Sequence, residues 1–295
     1  MKLNFEIVKR RKIWYLLSLF IIIPGIISLF IQGLNLGIDF EGGNLMQIKF
    51  TQEVSSSEVR DVFSQHVEEG FSVQETEDNN YLVRTAVMSE EQNQAIIADL
   101  TSQLGENEVL RNEHVGPVIG KELTLNALYA LVIASVLMVI YITFRFEFRF
   151  AIAAIIALLH DVFVILGVFS FLQLEVDSSF VAAVLTIVGY SINDTIVIFD
   201  RIRENLNITR KIEDITKLVN ESLMQTLARS INTVLTTLFP LVALLLFGGV
   251  TIKTFALALF IGIVSGCYSS IFIASSIWID LRNIYTQKKI TKARA

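Results

Sequence analysis

Six long apolar runs constrain this chain of 295 residues more than any other feature of its sequence. Each contains at least 18 residues, enough to cross about 30 Å of hydrocarbon as an α-helix that rises about 1.5 Å per residue. Hydrophobic residues make up 53% of the chain and charged residues only 18%, so one soluble core cannot bury all of the apolar surface. We therefore predict a polytopic α-helical membrane protein with six transmembrane helices. The runs are Ile13–Ile31, Leu123–Phe144, Phe150–Leu172, Ser179–Phe199, Ser230–Phe247 and Thr254–Ile279.

The basic residues predict how these helices are oriented. Four segments, 1–12, 145–149, 200–228 and 280–295, together hold 17 of the 24 Lys and Arg residues, and all four fall on one side of the membrane. Because loops rich in Lys and Arg stay in the cytoplasm, both termini are expected to be cytoplasmic. The chain is then divided into a cytoplasmic N-terminus, a first transmembrane helix, an external domain, five further helices and a basic cytoplasmic tail. The boundaries are 1–12, 13–32, 33–122, 123–279 and 280–295.

The external domain, residues 33–122, has a different pattern. It holds 5 basic and 17 acidic residues, and short amphipathic elements replace the long apolar runs. Ser55 with Glu58 and Ser89 with Gln92 have the spacing of capping boxes, which begin helices, and alternating segments around them predict strands. The order βαββαβ is that of the α+β ferredoxin-like fold, which hosts too many functions to decide one.

Composition and motifs exclude several classes of function. The formal net charge of −5 excludes a generally basic nucleic-acid binder, so no nucleic-acid partner is expected. The single Cys excludes a disulfide framework, and His66 and His114 lack a nearby ligand pattern, which favours solvated surface side chains. The sequence contains no phosphate-binding loop, metalloprotease motif or nucleophile elbow. We expect no metal, no cofactor and no enzymatic activity.

One carboxylate lies inside the fourth apolar run. Asp194 follows Tyr190 and Thr186 at spacings of four and eight residues, so one helical face carries two hydroxyls and a carboxyl, and Asn193 adjoins it. An ionisable side chain at the centre of a span costs at least about 2.5–3.5 kcal/mol and usually faces a partner or water. This polar face is therefore expected to point away from lipid.

A second polar face begins the fifth run. Its members are Arg229, Asn232, Thr233, Thr236 and Thr237, and Pro240 on the same helix invites a kink. The functional interpretation of both faces is a proton relay in which Asp194 alternates between protonated and ionised forms while Arg229 biases that equilibrium. The relay candidates are Asp194, Arg229, Asn193, Tyr190 and Thr233. The alternative is a permanently paired cluster that holds the helices together.

Three further features carry open interpretations. His160 and Asp161, near the middle of the third run, form either an accessory relay or an interhelical hydrogen-bonded contact. Gly262 and Gly266 in the sixth run have the GxxxG spacing that permits close helix packing. Apolar residues at helical spacing in segment 201–228 predict either an interfacial amphipathic helix on the cytoplasmic face or a simple connector.

Several motifs, in order along almost the whole chain, resemble the SecD/SecF family of bacterial protein-export membrane proteins. The matching stretches are Gly37–Gly43, Val115–Leu123, Phe144–Phe150, His160 with Asp161, Val188–Thr195, Phe199–Asn205 and Thr226–Thr233. The resemblance implies a six-span subunit that pairs with SecD into a twelve-span unit of the resistance-nodulation-division superfamily. Asp194 and Arg229 match the family's aspartate and arginine that are implicated in ion coupling.

The resemblance also implies a setting for this subunit. It is expected in the bacterial cytoplasmic (inner) membrane beside the SecYEG channel, with YajC and YidC as further partner candidates. There the proton gradient, or sodium in some relatives, helps to pull translocating preproteins out of the channel. Two other functions remain open: one half of a small-molecule or lipid exporter of the same superfamily, and a scaffold that conducts no ions.

Glycines at the entry to the external domain have two interpretations. Gly37, Gly42 and Gly43 are hinge candidates because glycine allows backbone conformations that other residues avoid. The same residues could instead form tight turns without any movement, and their sequence does not separate the two roles.

Overall fold

The computed structural model describes residues 6–67, 71–76, 79–209 and 214–294. Within these residues lie six helices that are long and apolar enough to cross a membrane, as the sequence predicts. We call them spans 1 to 6. They run Val8–Ile31, Val118–Arg145, Phe148–Phe171, Ser178–Ile208, Ile215–Phe247 and Ile252–Tyr285.

The helices extend beyond the apolar runs because their polar ends continue the same helical turns. Span 1 opens with a 3-10 turn, Val8–Arg10, before the α-helix Arg11–Ile31. The helix of span 2 begins at Pro117, where a missing N–H costs little. Span 6 is part of a longer continuous helix. That helix consists of the α-helix Val250–Tyr268, a π-helical segment Ser269–Ala274 and the α-helix Ser275–Arg294.

Segment 201–228 has no helix of its own among the described residues, which agrees with the connector interpretation and not with an interfacial helix. Residues 201–208 are the end of span 4, and residues 215–228 are the first turns of span 5. Asp214 begins span 5 by accepting hydrogen bonds from the backbone N–H groups of Thr216 and Lys217. The apolar residues of this segment pack into the helical bundle, which the amphipathic pattern alone cannot distinguish from packing on a membrane surface. Residues 210–213 lie outside the described part of the chain.

The chain forms two compact units. The first comprises Met1–Asn35, Ala130–Glu175 and Ser179–Ala295, and the second comprises Leu36–Tyr129 with Val176–Ser178. In the first unit, spans 3, 4 and 6 supply most of the buried side chains, whereas spans 1, 2 and 5 expose long apolar faces. Phe150 on span 3 stacks on Trp278 of span 6 with 4.6 Å between ring centroids.

Spans 1 and 3 cross at a pair of glycines. A Cβ on Gly25 would lie 2.7 Å from the Cα of Gly167, so neither position has room for a side chain. Beside this crossing the hydroxyls of Ser28 and Ser170 are 2.7 Å apart and share a hydrogen bond. Close backbone approach and a buried hydroxyl pair are the usual means of joining helices in a membrane.

The second unit contains the predicted α+β domain. Its elements follow the expected order βαββαβ, with helices Ser56–Ser64 and Glu90–Leu104. The described residues form six strands, of which β2 to β5 make up this order: β1 (Asn35–Leu36), β2 (Gly43–Phe50), β3 (Ser72–Glu75), β4 (Asn80–Thr85), β5 (Asn107–Val115) and β6 (Glu175–Val176). Among the described residues the main sheet has the order β3-β4-β2-β5 with antiparallel neighbours, and β1 pairs with β6.

Capping boxes begin both domain helices, as their spacing predicts. The Ser89 hydroxyl accepts from the Gln92 N–H, while the Gln92 side chain accepts from the Ser89 N–H. The box of Ser55 and Glu58 is equivalent, and the hydrogen bond from the Ser55 N–H helps to hold the pKa of the Glu58 carboxyl below its ordinary value. The apolar sides of these helices cover a core that includes Ile48, Phe63 and Ile96 from three different elements.

The glycines at the domain entry have distinct geometries. Gly42 has a φ of 79° and Gly43 a φ of 133°, and a Cβ on Gly43 would lie 2.5 Å from the carbonyl oxygen of Thr85. Gly37 has a φ of −77°, which any residue adopts. The positions of Gly42 and Gly43 therefore require glycine for the local turn and close approach, while the hinge remains a prediction.

We predict that Ser89→Ala weakens the second domain helix locally. Losing a serine N-cap costs about 1 kcal/mol, which corresponds to roughly fivefold faster amide exchange in the first turns of Glu90–Leu104. Hydrogen exchange of the full-length protein in detergent measures the change. Ser102→Ala is the matched control, because the Ser102 hydroxyl bonds only to the carbonyl of Asp99 within the same helix. Equal exchange in both variants would contradict the role of the cap.

Candidate functional site

Asp194 on span 4 is half-buried, and only one of its two carboxylate oxygens has a hydrogen-bond partner among the described residues. Its Oδ1 accepts a hydrogen bond of 2.6 Å from the hydroxyl of Ser230 on span 5. Its Oδ2 is buried and has no hydrogen-bond partner among the described residues. One oxygen is therefore anchored to the neighbouring span, while the other is placed to take up a proton or a partner's donor.

Hydroxyl groups continue this contact between spans 4 and 5. The Tyr190 hydroxyl lies 3.1 Å from the Thr237 hydroxyl and 3.1 Å from the backbone carbonyl of Thr233. The hydroxyls of Thr233 and Thr237 also donate to carbonyls four residues earlier in their own helix. Tyr190 and Asp194 thus lie one helical turn apart, and both bind span 5.

Other predicted members of the site lie on the exposed surface of the chain. Arg229 directly precedes Ser230, but within the described residues no ion pair of 4.0 Å or less joins its guanidinium to Asp194. Asn193 faces outward on span 4. Among the residues predicted to form the two polar faces, the exposed ones are Thr186, Asn193, Arg229, Asn232, Thr233 and Thr236. The structure therefore brings Asp194, Ser230, Tyr190 and Thr233 together and leaves Arg229 and Asn193 facing outward.

Asp161 on span 3 has a different environment, because it is fully buried and its carboxylate is surrounded by donors. Its Oδ2 accepts from the hydroxyls of Ser191 at 2.6 Å and Ser269 at 2.8 Å. Its Oδ1 accepts from the hydroxyl of Ser265 at 2.7 Å and lies 3.1 Å from His160 Nδ1. Side chains from spans 3, 4 and 6 meet at this one carboxylate.

The imidazole of His160 connects this cluster to span 1. Its Nε2 lies 3.0 Å from the Ser18 hydroxyl, which is 3.3 Å from the hydroxyl of Tyr268. Tyr268 in turn donates to the backbone carbonyl of Trp14 at 2.7 Å, and its ring stacks on the imidazole. A chain of hydrogen bonds therefore runs from Asp161 through His160 to span 1.

Small residues on span 6 allow these groups to approach. A Cβ on Gly266 would lie 3.0 Å from the Cβ of Ser191, and a Cβ on Gly262 would overlap the Ile187 side chain. Both glycines thus lie where span 6 contacts span 4, next to the serines that bind Asp161. The π-helical segment that begins at Ser269 follows directly, and π-helical turns are frequent at functional sites.

Sequence reasoning missed several of these residues. In the sequence, Ser230 stands out only as the first residue of an apolar run, although its hydroxyl is the direct partner of Asp194. Ser265 and Ser269 are four residues apart on one helical face, a spacing that could have indicated a shared polar partner. His66 and His114 are not simply solvated, since His66 Nε2 lies 2.7 Å from Asp99 and His114 Nδ1 lies 2.8 Å from the side-chain oxygen of Asn44.

The residues that the structure describes include no group of three His, Cys, Asp or Glu side chains placed to hold a metal ion. Cys267 is a free thiol on span 6, partly buried among the packed helices. The polar groups at the site are carboxylates, hydroxyls, amides and one imidazole. Such a set suits the binding and transfer of protons or the ordering of helices.

Two family models match the chain. The model described as "Protein export membrane protein SecD/SecF, C-terminal" matches residues 96–284, and the model described as "SecD/SecF GG Motif" matches residues 27–54. The second match contains Gly37, Gly42 and Gly43, and the first contains the Asp194 and Asp161 sites. Both clusters therefore lie in the segment that the family model covers.

Individual relatives extend the match to nearly the whole chain. A protein translocase subunit SecF from Acidaminococcus fermentans is 50% identical over 286 residues, which cover 95% of this chain and 98% of the relative. A protein translocase subunit SecDF from Bacillus subtilis is 40% identical, with 94% of this chain covering 38% of that protein. The crystal structure of SecDF, a translocon-associated membrane protein from Thermus thermophilus, matches with a TM-score of 0.88 at 36% identity. It covers 96% of this chain, which spans only 39% of the SecDF chain.

We predict that Asp194 and Ser230 stabilise each other across spans 4 and 5. A double-mutant cycle of Asp194→Ala and Ser230→Ala, measured by reversible unfolding in mixed micelles, should give a coupling free energy of about 1 kcal/mol. Pairing Asp194→Ala with Thr236→Ala should give almost none, because the Thr236 hydroxyl bonds only to carbonyls of its own helix. A coupling near zero in the first cycle would show that the contact contributes no stability.

Proposed function

The chain belongs to the SecD/SecF family of protein-export membrane proteins, and from that membership we propose that it is an ion-driven subunit of the Sec protein-export machinery. In this proposal Asp194 carries the coupled ion, and the stored energy of the gradient drives a late step of translocation. The role is transport rather than enzymatic catalysis. One observation carries the proposal most directly: the buried Oδ2 of Asp194 has no hydrogen-bond partner among the described residues.

An unpartnered carboxylate oxygen suits reversible ion binding. A proton can join Oδ2 without breaking the hydrogen bond that Oδ1 accepts from Ser230. The ionised form is costly in hydrocarbon unless a positive charge approaches, and Arg229 lies beside Ser230 on the same helix. A shift of span 5 against span 4 would then move Arg229 relative to Asp194 and change which form is favoured. This links ion binding to helix movement.

The exposed polar face supports a membrane-embedded partner. If the chain acted alone, lipid would face the exposed side chains of Thr186, Asn193, Arg229, Asn232 and Thr236. The guanidinium of Arg229 would then lack solvation, although it interacts electrostatically with Asp194. The similar SecDF chains are about two and a half times as long as this one and include a further region. We propose that a SecD-like subunit covers this face and supplies polar groups to Arg229.

The cellular setting follows from charge and from the relatives. We propose a bacterial cytoplasmic membrane with both termini inside, because the basic loops and tail lie on one side of the spans. The Thermus SecDF is described as translocon-associated, which supports association of this chain with the SecYEG channel. Translocating preproteins would meet the acidic external domain, whose 17 acidic residues favour basic segments of the client.

We predict that Asp194→Asn abolishes gradient-dependent release of an exported protein from spheroplasts. Asparagine keeps the size and a hydrogen-bonding oxygen but cannot be ionised, so the ion step is lost while the contact with Ser230 can persist. Ser135→Ala is the control, since Ser135 lies on span 2 and its hydroxyl donates to the Leu131 carbonyl of its own helix. Repeating the assay with and without sodium, and with the proton gradient collapsed, identifies the coupled ion.

Two results of this release assay would count against the proposal. Normal release by the Asp194→Asn variant, folded and bound to its partner, would overturn the ion-carrying role of Asp194. Unchanged protein export with altered drug or lipid tolerance in a deletion strain would instead favour an exporter of small molecules.

We also predict the orientation of the chain by labelling with a membrane-impermeant maleimide. In a Cys267→Ser background, a Gln94→Cys variant in the external domain should react in intact spheroplasts. A Glu221→Cys variant near the start of span 5 should react only after permeabilisation. Both positions are exposed, so reactivity reports the side of the membrane rather than burial. The reverse pattern would refute the cytoplasmic placement of the termini.

A further inference from the structure

The cluster around Asp161 differs from the Asp194 site in one decisive way. The Asp161 carboxylate offers about four acceptor positions, and four donors occupy them. Three are the hydroxyls of Ser191, Ser265 and Ser269, and the fourth is the Nδ1 of His160. A proton arriving at either oxygen would have to displace one of these donors. The four contacts are therefore those of an ionised carboxylate held in place by its neighbours.

The hydrogen bonds of His160 specify its protonation state in turn. Because the ionised Asp161 only accepts, Nδ1 must carry a hydrogen. On the other side, Tyr268 uses its single hydroxyl hydrogen on the Trp14 carbonyl, so the Ser18 hydroxyl donates to Tyr268. Ser18 then has no hydrogen left for Nε2, which must donate to Ser18 instead. All contacts are satisfied together when both ring nitrogens carry hydrogens, as in an imidazolium.

We propose that His160 and Asp161 form an imidazolium–carboxylate pair that positions Asp194 and carries no transported ion itself. The pair places opposite charges 3.1 Å apart with no exposure of the carboxylate, so the net charge buried in the membrane is zero. This inference rests on the proposed function, because it assigns a supporting role within the same ion-coupled site.

The link from the pair to Asp194 runs along span 4. Ser191, which donates to Asp161, lies three residues before Asp194, and its Cβ packs against Gly266. Thr195, directly after Asp194, shares a hydrogen bond of 2.8 Å with Ser270 of span 6. Contacts on both sides of Asp194 thus fix the rotation of span 4 and direct the carboxyl of Asp194 toward Ser230. Asp161 is a positioning residue for that geometry.

The surroundings of the pair contain few other groups that titrate. Span 6 contributes Tyr268, stacked on the imidazole at 5.7 Å, and Cys267 nearby. Span 1 contributes Ser18 and the carbonyl of Trp14, and span 4 contributes Ser191, none of which titrates.

Nitrogen NMR of ring-labelled histidine in the full-length protein tests the charge state directly. The chain has three histidines, so a variant with His66→Gln and His114→Gln leaves His160 as the sole signal. Both ring nitrogens should carry hydrogens at pH 7, as the hydrogen-bond pattern requires. Asp161→Asn should abolish this signature because the carboxylate charge is gone. A neutral His160 at pH 7 would overturn the proposal.

Gradient-driven ion flux in proteoliposomes containing the protein and its partner tests the positioning role. Asp161→Asn keeps hydrogen bonds to the serines, whose hydroxyls can reverse, so flux should fall by about tenfold or less. Its pH dependence should match that of the unaltered protein. Asp194→Asn should abolish flux. Loss of flux in Asp161→Asn to the level of Asp194→Asn, in folded and partnered protein, would show that Asp161 carries the ion.

The flux measurement gives a different result if the proposed ion-coupled function is itself wrong. Absence of gradient-driven flux in the unaltered complex would refute ion coupling by this protein, and with it the positioning role of Asp161. The NMR measurement would still decide between a charged and a neutral His160. Ser191→Ala adds a further check, because it should reduce flux while leaving the imidazolium signature intact.

Discussion

The absence of water in hydrocarbon is the constraint on which the rest of the structure depends. A single ionised side chain at the centre of a span costs at least about 2.5–3.5 kcal/mol, and polar contacts between helices in membranes return about 0.6 kcal/mol each on average. Four such contacts together come close to the lower cost. Asp161 has four donors, so its burial is nearly balanced before the charge of His160 is counted. The packing of spans 3, 4 and 6 follows from that requirement.

The same comparison of burial cost with hydrogen bonds gives the opposite result for Asp194. One hydroxyl contact leaves most of the cost of an ionised carboxylate unmatched, so this group is stable only when it is protonated or when an opposite charge comes near. Two aspartates in adjacent spans thus have opposite properties. The saturated one is suited to hold helices in a fixed relation, and the unsaturated one is suited to respond to ions. This division supports Asp194 as the group that changes state in the proposed cycle.

The sequence predicted the features that depend on local pattern. Apolar length predicts spans because lipid contact demands it along a whole helix, and the serine caps predict the starts of the domain helices because capping is local. The partners of Asp161 and Asp194 are tertiary. Serines such as Ser230 and Ser265 are ordinary in membrane helices, and nothing local shows which of them faces a carboxylate. The amphipathic pattern of segment 201–228 left two interpretations open for the same reason, since its apolar side could face lipid headgroups or other helices.

The exposed polar face of spans 4 and 5 connects the ion site to the assembly of the subunit. Arg229 is next to the residue that binds Asp194 and interacts electrostatically with that carboxylate, yet its side chain is exposed, where lipid would leave the guanidinium without solvation. If the subunit worked alone, an inward-turned side chain or an uncharged residue at this position would lower its free energy in the membrane. Its position is favourable only if another polar surface in the membrane completes the environment of Arg229. The ion site and the subunit interface are then a single structure, so assembly with a SecD-like partner would itself set the balance between the two forms of Asp194.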